Sequence, residues 1–319
     1  RVASRGLGDV YKRQVCVTAG PGSINALNGV FGAYVDSIPM VVVSGQARTD
    51  NIAPLHAPGL RQFGDQEVDI VNMAQPITKL SVRLKKEDNF IKIFHQALSL
   101  AEDGRPGPVW IDIPIDIQSM LINEPNFRDY KRLKTKHNYN EKIYLEKKIN
   151  KVLTLLSKAK RPVIIAGNGV RFSGKYKDFL KIIKKLSIPV LPVFNSTDLI
   201  PSDHALYCGR PGADGDRSGN FVQQNSDLLI ILGARMHIRQ VGFNSASFAR
   251  EAKKIMIDVD KAEMTKPNLQ IDIKIQADLK HFLPKMLSMT KNYKAKKNHR
   301  EYLLWSCLLY TSDAADDVR

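Results

Sequence analysis

The stretch VCVTAGPGSINALNGVFGAYVDSIPMVVVSGQ, residues 15–46, constrains the fold of this chain more than any other. Val15 to Thr18 is a short β-branched run, and Gly20-Pro21-Gly22 then forces a reversal that only a residue without a β-carbon, or with a preset φ, makes cheaply. A helix capped by Ser23 is predicted next, because Ala26, Leu27, Val30, Phe31, Tyr34 and Val35 recur at helical spacing. Gly29, Gly32 and Ala33 narrow that helix and suit it to close approach by a neighbour. Ser37-Ile38-Pro39 ends it, and Met40 to Ser44 reads as a strand without polar alternation, buried on both faces. The result is a strand, turn, helix, strand unit of a parallel sheet. Its turn lies at the carboxyl edge beside a helix N-terminus, whose free N–H groups and positive dipole end favour polar or anionic ligands. A Gly-Pro-Gly turn by itself also occurs in α/β folds that bind nothing there.

A chain of 319 residues with 43% hydrophobic content can build one large or two medium domains with real cores. No apolar run approaches the length of a membrane span and no apolar signal segment opens the sequence, so a cytoplasmic protein without membrane contact is expected. The three cysteines, Cys16, Cys208 and Cys307, form no C-x-x-C pair, which argues for a reduced compartment and against structural zinc. The net charge of +16 raises nucleic acid as a partner. Much of the excess lies between Arg128 and Arg161, where the lysines scatter without an aromatic platform for bases, so a solvated face and no nucleic acid is the reading.

Both ends look foreign. DVYKRQ at 9–14 and CLLYTS at 307–312 can be encoded by one short DNA sequence and its reverse complement, a property of transposase-type sequencing adapters. Residues 1–14 and 307–319 are therefore expected to be translated adapter, flanking a fragment.

Between them, 47–59 reads as a polar loop, Phe90 to Ala101 as an amphipathic helix, and Gly104 to Pro108 as a turn into the strand Val109 to Ile113. This first domain is placed at 15–122, followed by a basic linker over 123–145. A second domain, 146–290, opens with a helix from Glu146 to Ala159. Strands follow at Val163 to Ala166, Pro189 to Val193, Ser226 to Leu232 and Lys254 to Val259, with helices at Tyr176 to Leu186, Ser247 to Ala252 and Leu279 to Leu287. Residues 291–306 begin a further linker. The fold class is α/β, with two consecutive parallel-sheet domains.

The strings TAGPGSIN, DSIP, SGQ, DQEVDIV, ITK and GRPGPVWIDIP occur in that order. They resemble the thiamine diphosphate enzyme superfamily, and most of all the acetolactate synthase large-subunit group, with its S-G-P-G-x-x-N, D-S-x-P, G-Q, F-Q-E, I-T-K and G-R-P-G-P-V. The resemblance implies the later part of a pyrimidine-binding domain, with Gly20, Gly22 and Asn25 toward the cofactor ring, Gln66 at the active-site mouth and Lys79 behind it. RPVIIAGNG, CGRPG, SDLLIILGARMHIRQVG, IMIDVD and QADLK likewise resemble the central domain of that group, which holds an extended FAD. Carried over by position, FAD contacts fall on Gly167, Gly169, Gly209, Arg210, Gly233, Arg235, Met236, His237, Asp258, Val259 and Asp278, with Ser37 and Arg105 from the first domain. Taken alone, Gly167-Asn168-Gly169 is a weak dinucleotide signal, since Phe172 stands where a third glycine would. Asp214-Gly215-Asp216 reads as a surface turn and not as the metal-binding G-D-G of thiamine enzymes, so no metal ligand is assigned.

The implied function is 2-ketoacid decarboxylation and carboligation with thiamine diphosphate and Mg2+, as in branched-chain amino acid biosynthesis, by a homodimer or homotetramer. In the family the activating glutamate lies before the matched segment and the Mg2+ and diphosphate ligands after it, so the chain alone is expected to be inactive. The alternatives are a lyase or decarboxylase on another ketoacid, and a non-catalytic nucleotide-binding scaffold. Two positions depart from the family: Asp65 stands where an aromatic is usual, and Ile115 where a lysine is. Both make the expected mouth less positive and point to an acceptor or donor other than a second pyruvate.

Overall fold

The computed structural model describes residues 13–56, 59–121, 137–138, 141–267 and 269–316, which fall into one unit within Val10–Lys136 and another within His137–Arg319. The predicted linker and the first of the two foreign-looking ends lie mostly outside the described residues.

The first unit is a parallel sheet. Strand β1 (Arg13–Val17) is followed by helix α1 (Pro21–Val35) and strand β2 (Met40–Gln46). A short strand β3 (Leu80–Arg83), helix α2 (Phe90–Glu102) and strand β4 (Pro108–Pro114) complete it. The spatial order is β1-β2-β4-β3. On one face, α1 covers Met40, Val42 and Trp110 with Val30 and Ala33. On the other, Ala97 and Ala101 of α2 cover Val41, Val109 and Ile111. β2 and β4 are buried on both sides, which is why they read as continuous apolar runs.

Two local expectations change. Ser23 does not cap α1: Gly20 occupies the cap position with φ of 56°, Pro21 begins the helix, and the Ser23 hydroxyl donates to the Thr18 carbonyl at 2.9 Å. Proline at the first helical position needs no donor there, so the cap is dispensable. Ala33 is not available to a neighbour, being 3% exposed against the chain's own sheet, whereas Gly29 and Gly32 face open space. Strand β3 has no counterpart among the predictions, since a half-buried edge strand of four residues carries little periodicity.

The second unit begins with helix α3 (Lys142–Lys158), four residues before the predicted start because Leu145 already belongs to the core. Strand β5 (Pro162–Ala166), helix α4 (Tyr176–Leu186), strand β6 (Val190–Pro192), helix α5 (Arg217–Gln224) and strand β7 (Leu228–Leu232) follow. Strands β8 (Lys253–Asp258) and β9 (Ile273–Gln276) and helices α6 (Leu279–Met289) and α7 (Lys297–Asp316) close it. All strand pairs are parallel, in the order β6-β5-β7-β8-β9. α3, α4 and α6 bury one face of this sheet. The other face packs against Val222 of α5 and Tyr302 of α7, whose hydroxyl donates to the Val222 carbonyl at 2.7 Å. The helix predicted over Ser247 to Ala252 is instead a 3₁₀ turn, Ser245–Ser247, because buried Phe248 and Ala249, the latter at φ of 41°, turn the chain back toward β8.

Among the described residues no helix is long and apolar enough to cross a membrane. The glycines divide sharply in what they tolerate. A Cβ on Gly233, at φ of 55°, would meet the Gly169 Cα at 2.7 Å, whereas one on Gly29 meets nothing within 4 Å. Gly233→Ala is expected to destabilise the second unit by at least ~1–2 kcal/mol, the left-handed penalty before any clash. Gly29→Ala should stabilise α1 by roughly 0.5–1 kcal/mol. Urea denaturation of both variants should show opposite signs.

Candidate active site

The register of the first sheet brings Ser44 of β2, Asp112 of β4 and Arg83 of β3 into one row across three adjacent strands. Asp112 is fully buried. Its Oδ1 accepts from the Ser44 hydroxyl at 2.6 Å, while its Oδ2 accepts from Arg83 Nε at 2.9 Å and from Gln46 Nε2 at 3.2 Å. The Trp110 indole N–H donates to the Ser44 Oγ at 2.8 Å, so that hydroxyl can only point its own proton at Asp112. Arg83 reaches on to Asp69 at 3.3 Å, and Gln46 Nε2 also donates to the Val68 carbonyl at 2.8 Å. Burial pushes the Asp112 carboxyl above the ordinary carboxylate range, and donation from Ser44, Arg83 and Gln46 pulls it part of the way back.

Above this row, at the carboxyl edge of the sheet, lies a cavity of about 600 Å³. Thr18 and Ala19 from the end of β1, Gly45 and Gln46 from β2, Ile113 from β4, and the loop residues Asp65 and Gln66 line it. This is where a parallel sheet places its ligands. Gln66 holds a left-handed φ of 52°, and a Cβ on Gly20 would come within 2.3 Å of the Gln66 carbonyl oxygen. The glycine turn is therefore required for the turn and the glutamine to touch. Gly22 packs on Thr18, where a Cβ would meet Cγ2 at 2.7 Å. Asn25 is exposed on α1 and does not line the cavity. Asp65 and Ile115, the two departures from the family pattern, both line it. The cavity is of the size that takes a small molecule.

Lys79 is not brought to this mouth. Its ammonium donates to the carbonyls of Asp103 at 2.5 Å and Arg105 at 2.8 Å, and its backbone N–H to the Pro108 carbonyl at 2.8 Å. Pro108 begins β4, so Lys79 sits at the amino edge of the sheet, opposite the cavity. Burial lowers its pKa from the ordinary lysine value. It ties the Gly104-to-Pro108 turn. Arg105 and Ser37 come together at that edge too, Arg105 Nε donating to the Ser37 Oγ at 2.9 Å.

In the second unit the residues assigned to a dinucleotide gather at the carboxyl edge, around the crevice between β5 and β7 where the strand order reverses. Their close faces are already occupied. A Cβ on Gly167 would meet the Gly233 carbonyl oxygen at 2.3 Å, and one on Gly209 the Ser218 Oγ at 2.6 Å. Arg210 is paired with Asp216 through Nη2 at 3.1 Å and through its backbone N–H at 2.8 Å. Asp216 and Asp214, which lies 3.9 Å from Arg239, thus serve local ion pairs. Met236 is buried at φ of 48°, Asp258 accepts from the Asp260 N–H at 2.9 Å ahead of Val259, and Asp278 caps α6. His237 caps the short helix Ile238–Val241, and burial, then the nearby cations Arg235, Lys266 and Arg239, lower its pKa. The cavity beside Arg210, His237 and Arg239 holds about 10 Å³. The Asn168 Oδ1 and the Ser218 Oγ, which do not line that cavity, are buried without a hydrogen-bond partner. As arranged, this set does not fit an extended flavin dinucleotide. Among the described residues no group of three His, Cys, Asp or Glu is placed to hold a metal ion.

Sequence reasoning missed the Ser44, Arg83 and Asp112 row. A lone carboxylate within the apolar run of β4 was the available signal for Asp112; nothing local marked Arg83 as its partner. Asp112→Ala is expected to cost about 3–5 kcal/mol by leaving Arg83 without its buried partner. Because the folded-state pKa of Asp112 is raised, the native state binds more protons in that window. Stability should therefore fall as pH rises from the ordinary aspartate range through the raised value, a component absent from Asp112→Asn. Urea titrations of wild type and Asp112→Asn across acidic to neutral pH check this.

Comparison with known proteins is consistent with this geometry. Residues 10–73 match the thiamine pyrophosphate enzyme N-terminal TPP binding domain, and residues 149–286 the thiamine pyrophosphate enzyme central domain. The chain is 35% identical over 277 residues to the acetolactate synthase large subunit of Lactococcus lactis, covering 87% of this chain and 46% of that protein. It is 35% identical over 275 residues to the probable acetolactate synthase large subunit of Methanocaldococcus jannaschii, covering 86% and 45%. With the acetolactate synthase isozyme 1 large subunit of Escherichia coli it shares 32% over 286 residues, covering 88% and 47%. The chain spans about half the length of the curated relatives it matches. By the motifs, the two parallel sheets and these matches together, the chain belongs to the thiamine pyrophosphate enzyme family and is similar to acetolactate synthase large subunits.

Proposed function

We propose that this chain is part of a thiamine diphosphate-dependent enzyme that decarboxylates a 2-ketoacid and joins the remainder to a carbonyl acceptor. The observation that supports it best is the contact between the Gly20 turn and Gln66 beside the carboxyl-edge cavity, inside the segment that matches the cofactor-binding domain. Thiamine diphosphate supplies the nucleophilic carbon that adds to the ketoacid. The role of this chain is to receive the pyrimidine end of the cofactor on the Gly20 turn, with Gln66 offering an amide donor and acceptor beside it. The row beneath, from Ser44 to Arg83, fixes the strand ends that form the floor. Mg2+ and the activating glutamate are assigned to residues outside the described site; no glutamate lines this cavity. A reduced compartment such as the cytoplasm suits its three free cysteines.

The acceptor is proposed to be something other than a second pyruvate. Asp65 and Ile115 share the cavity, so an added carboxylate and an absent ammonium act on the same space. Each is worth about 1 kcal/mol at a partly screened site, roughly a fivefold effect. The complete enzyme is expected to release carbon dioxide from pyruvate only with thiamine diphosphate, yet to form acetolactate poorly. Asp65→Phe combined with Ile115→Lys should raise acetolactate formation by about twenty-five-fold, two contributions of that size. Turnover without the cofactor refutes the functional reading, and unchanged product ratios in the double variant refute the assignment of specificity.

The complete protein is further proposed to assemble through α1. Ile24 and Phe31, seven residues apart on one face, are 44% and 54% exposed, and Gly32 beside them has open space where a side chain would stand. Phe31→Glu is expected to shift the complete protein toward monomer in sedimentation velocity, while the circular dichroism of the chain stays unchanged.

A further inference from the structure

The segment that carries Asp65 and Gln66 is held by the residue that follows it. Glu67 is 8% exposed, and both of its carboxylate oxygens are occupied. Oε1 accepts from the Ala53 N–H at 2.7 Å; Oε2 accepts from the Phe63 N–H at 2.8 Å and the Gly64 N–H at 3.1 Å. These are bonds from backbone donors to an ion, the stronger kind. They tie the start of the turn Ala53–His56 and the peptide pair at 63–64 to a single side chain. The clamp has little slack: a Cβ on Gly64 would lie 2.6 Å from the Ala47 Cβ and 2.7 Å from the Asn51 carbonyl oxygen. On the other side, Gln46 Nε2 holds the Val68 carbonyl. Gln66 lies between these fixed points, in a left-handed conformation that a glutamine does not choose freely.

We infer that Glu67 is a positioning residue for Gln66: its carboxylate fixes the peptide frame that forces Gln66 into left-handed geometry, against Gly20 and toward the cavity. Glu67 does not touch the cavity and takes no part in proton transfer. With the clamp released, Gln66 relaxes to an ordinary backbone conformation and its carbonyl leaves the Gly20 turn. The inference deepens the cofactor-binding reading and rests on it for its functional consequence, but the clamp itself stands on the chain's own geometry.

Two experiments test it. In the chain as it stands, Glu67→Gln replaces one accepting oxygen by an amide NH2 group that faces N–H donors. Trypsin cleavage after exposed Arg61, inside the clamped loop, should accelerate at least tenfold while the thermal midpoint of the unit shifts little. Should Glu67→Gln not fold, Ala53→Pro removes one donor at the first helical position, where proline is tolerated, and should accelerate the same cleavage by a smaller factor. In the complete enzyme, Glu67→Gln should raise the thiamine diphosphate concentration for half-maximal activity at least tenfold, and Gln66→Ala comparably. The Gln66→Ala, Glu67→Gln double variant should be no worse than Gln66→Ala alone, because Glu67 acts through Gln66. Unchanged cleavage overturns the clamp. Fully additive losses overturn its action through Gln66. A complete enzyme that shows no cofactor-dependent turnover refutes the cofactor reading instead, and the cleavage rates then decide the clamp by themselves.

Discussion

The buried Asp112 carboxylate is the interaction on which the first unit depends. A charge at the centre of a sheet is tolerated only when donors replace the water it has lost, and here the two strands on either side, β2 and β3, supply them. That requirement fixes more than one residue. Side chains alternate along a strand, so a slip of β4 by a single position would turn Asp112 to the opposite face and separate it from Ser44 and Arg83. Neighbouring Val109 and Ile111 already pack on that other face, with α2. The ionic row thus selects one register for β2, β4 and β3, and that register aligns the strand ends that floor the cavity. Apolar burial would hold the sheet together in several registers; the charge permits one.

Much of this was legible in the sequence because it is local. Periodicity and turn chemistry place α1, α2, β2 and β4 close to where they lie, and the β-branched runs of the second unit give its sheet. What was not legible depends on pairing at a distance. Arg83 and Asp112 are far apart in the chain and meet only because β3 lies beside β4. Lys79 shows the complementary failure. Its motif matches a family string, but a string does not say at which edge of a parallel sheet its residues fall. That is settled by whether the strand they meet is starting or ending, and Lys79 meets β4 at its first residue.

The two edges of the first sheet accordingly do different work. At the amino edge, Lys79, Arg105 and Ser37 satisfy carbonyls and hydroxyls within the chain. At the carboxyl edge, strand ends, a helix start and the loop around Gln66 leave space. Glycine reads the same in sequence whether it admits a ligand or another stretch of backbone, so the motif alone did not separate the two uses. In the first unit Gly20 admits Gln66, and in the second Gly167, Gly169 and Gly233 admit one another.

The second unit raises the question of what resists a dinucleotide at an edge that otherwise suits one. Electrostatics is a weak obstacle. Arg210 and Asp216 form a partly exposed pair, and such pairs contribute only about 0–1 kcal/mol, so a diphosphate could displace the carboxylate from the guanidinium at little cost. The backbone is a stronger one. Gly169 donates its N–H to the Gly233 carbonyl at 3.0 Å, and Gly167 donates to Leu232 at 2.9 Å, so the two turns that would have to part around a ligand are hydrogen-bonded to the facing strand end and turn. Opening them would leave buried donors and acceptors unpaired, each at a cost of about 1–3 kcal/mol unless the ligand replaced the bond. The orphaned Asn168 and Ser218 oxygens are too few to repay that. The obstacle is the close fit of glycine against glycine, and the arginines that first draw the eye are secondary to it.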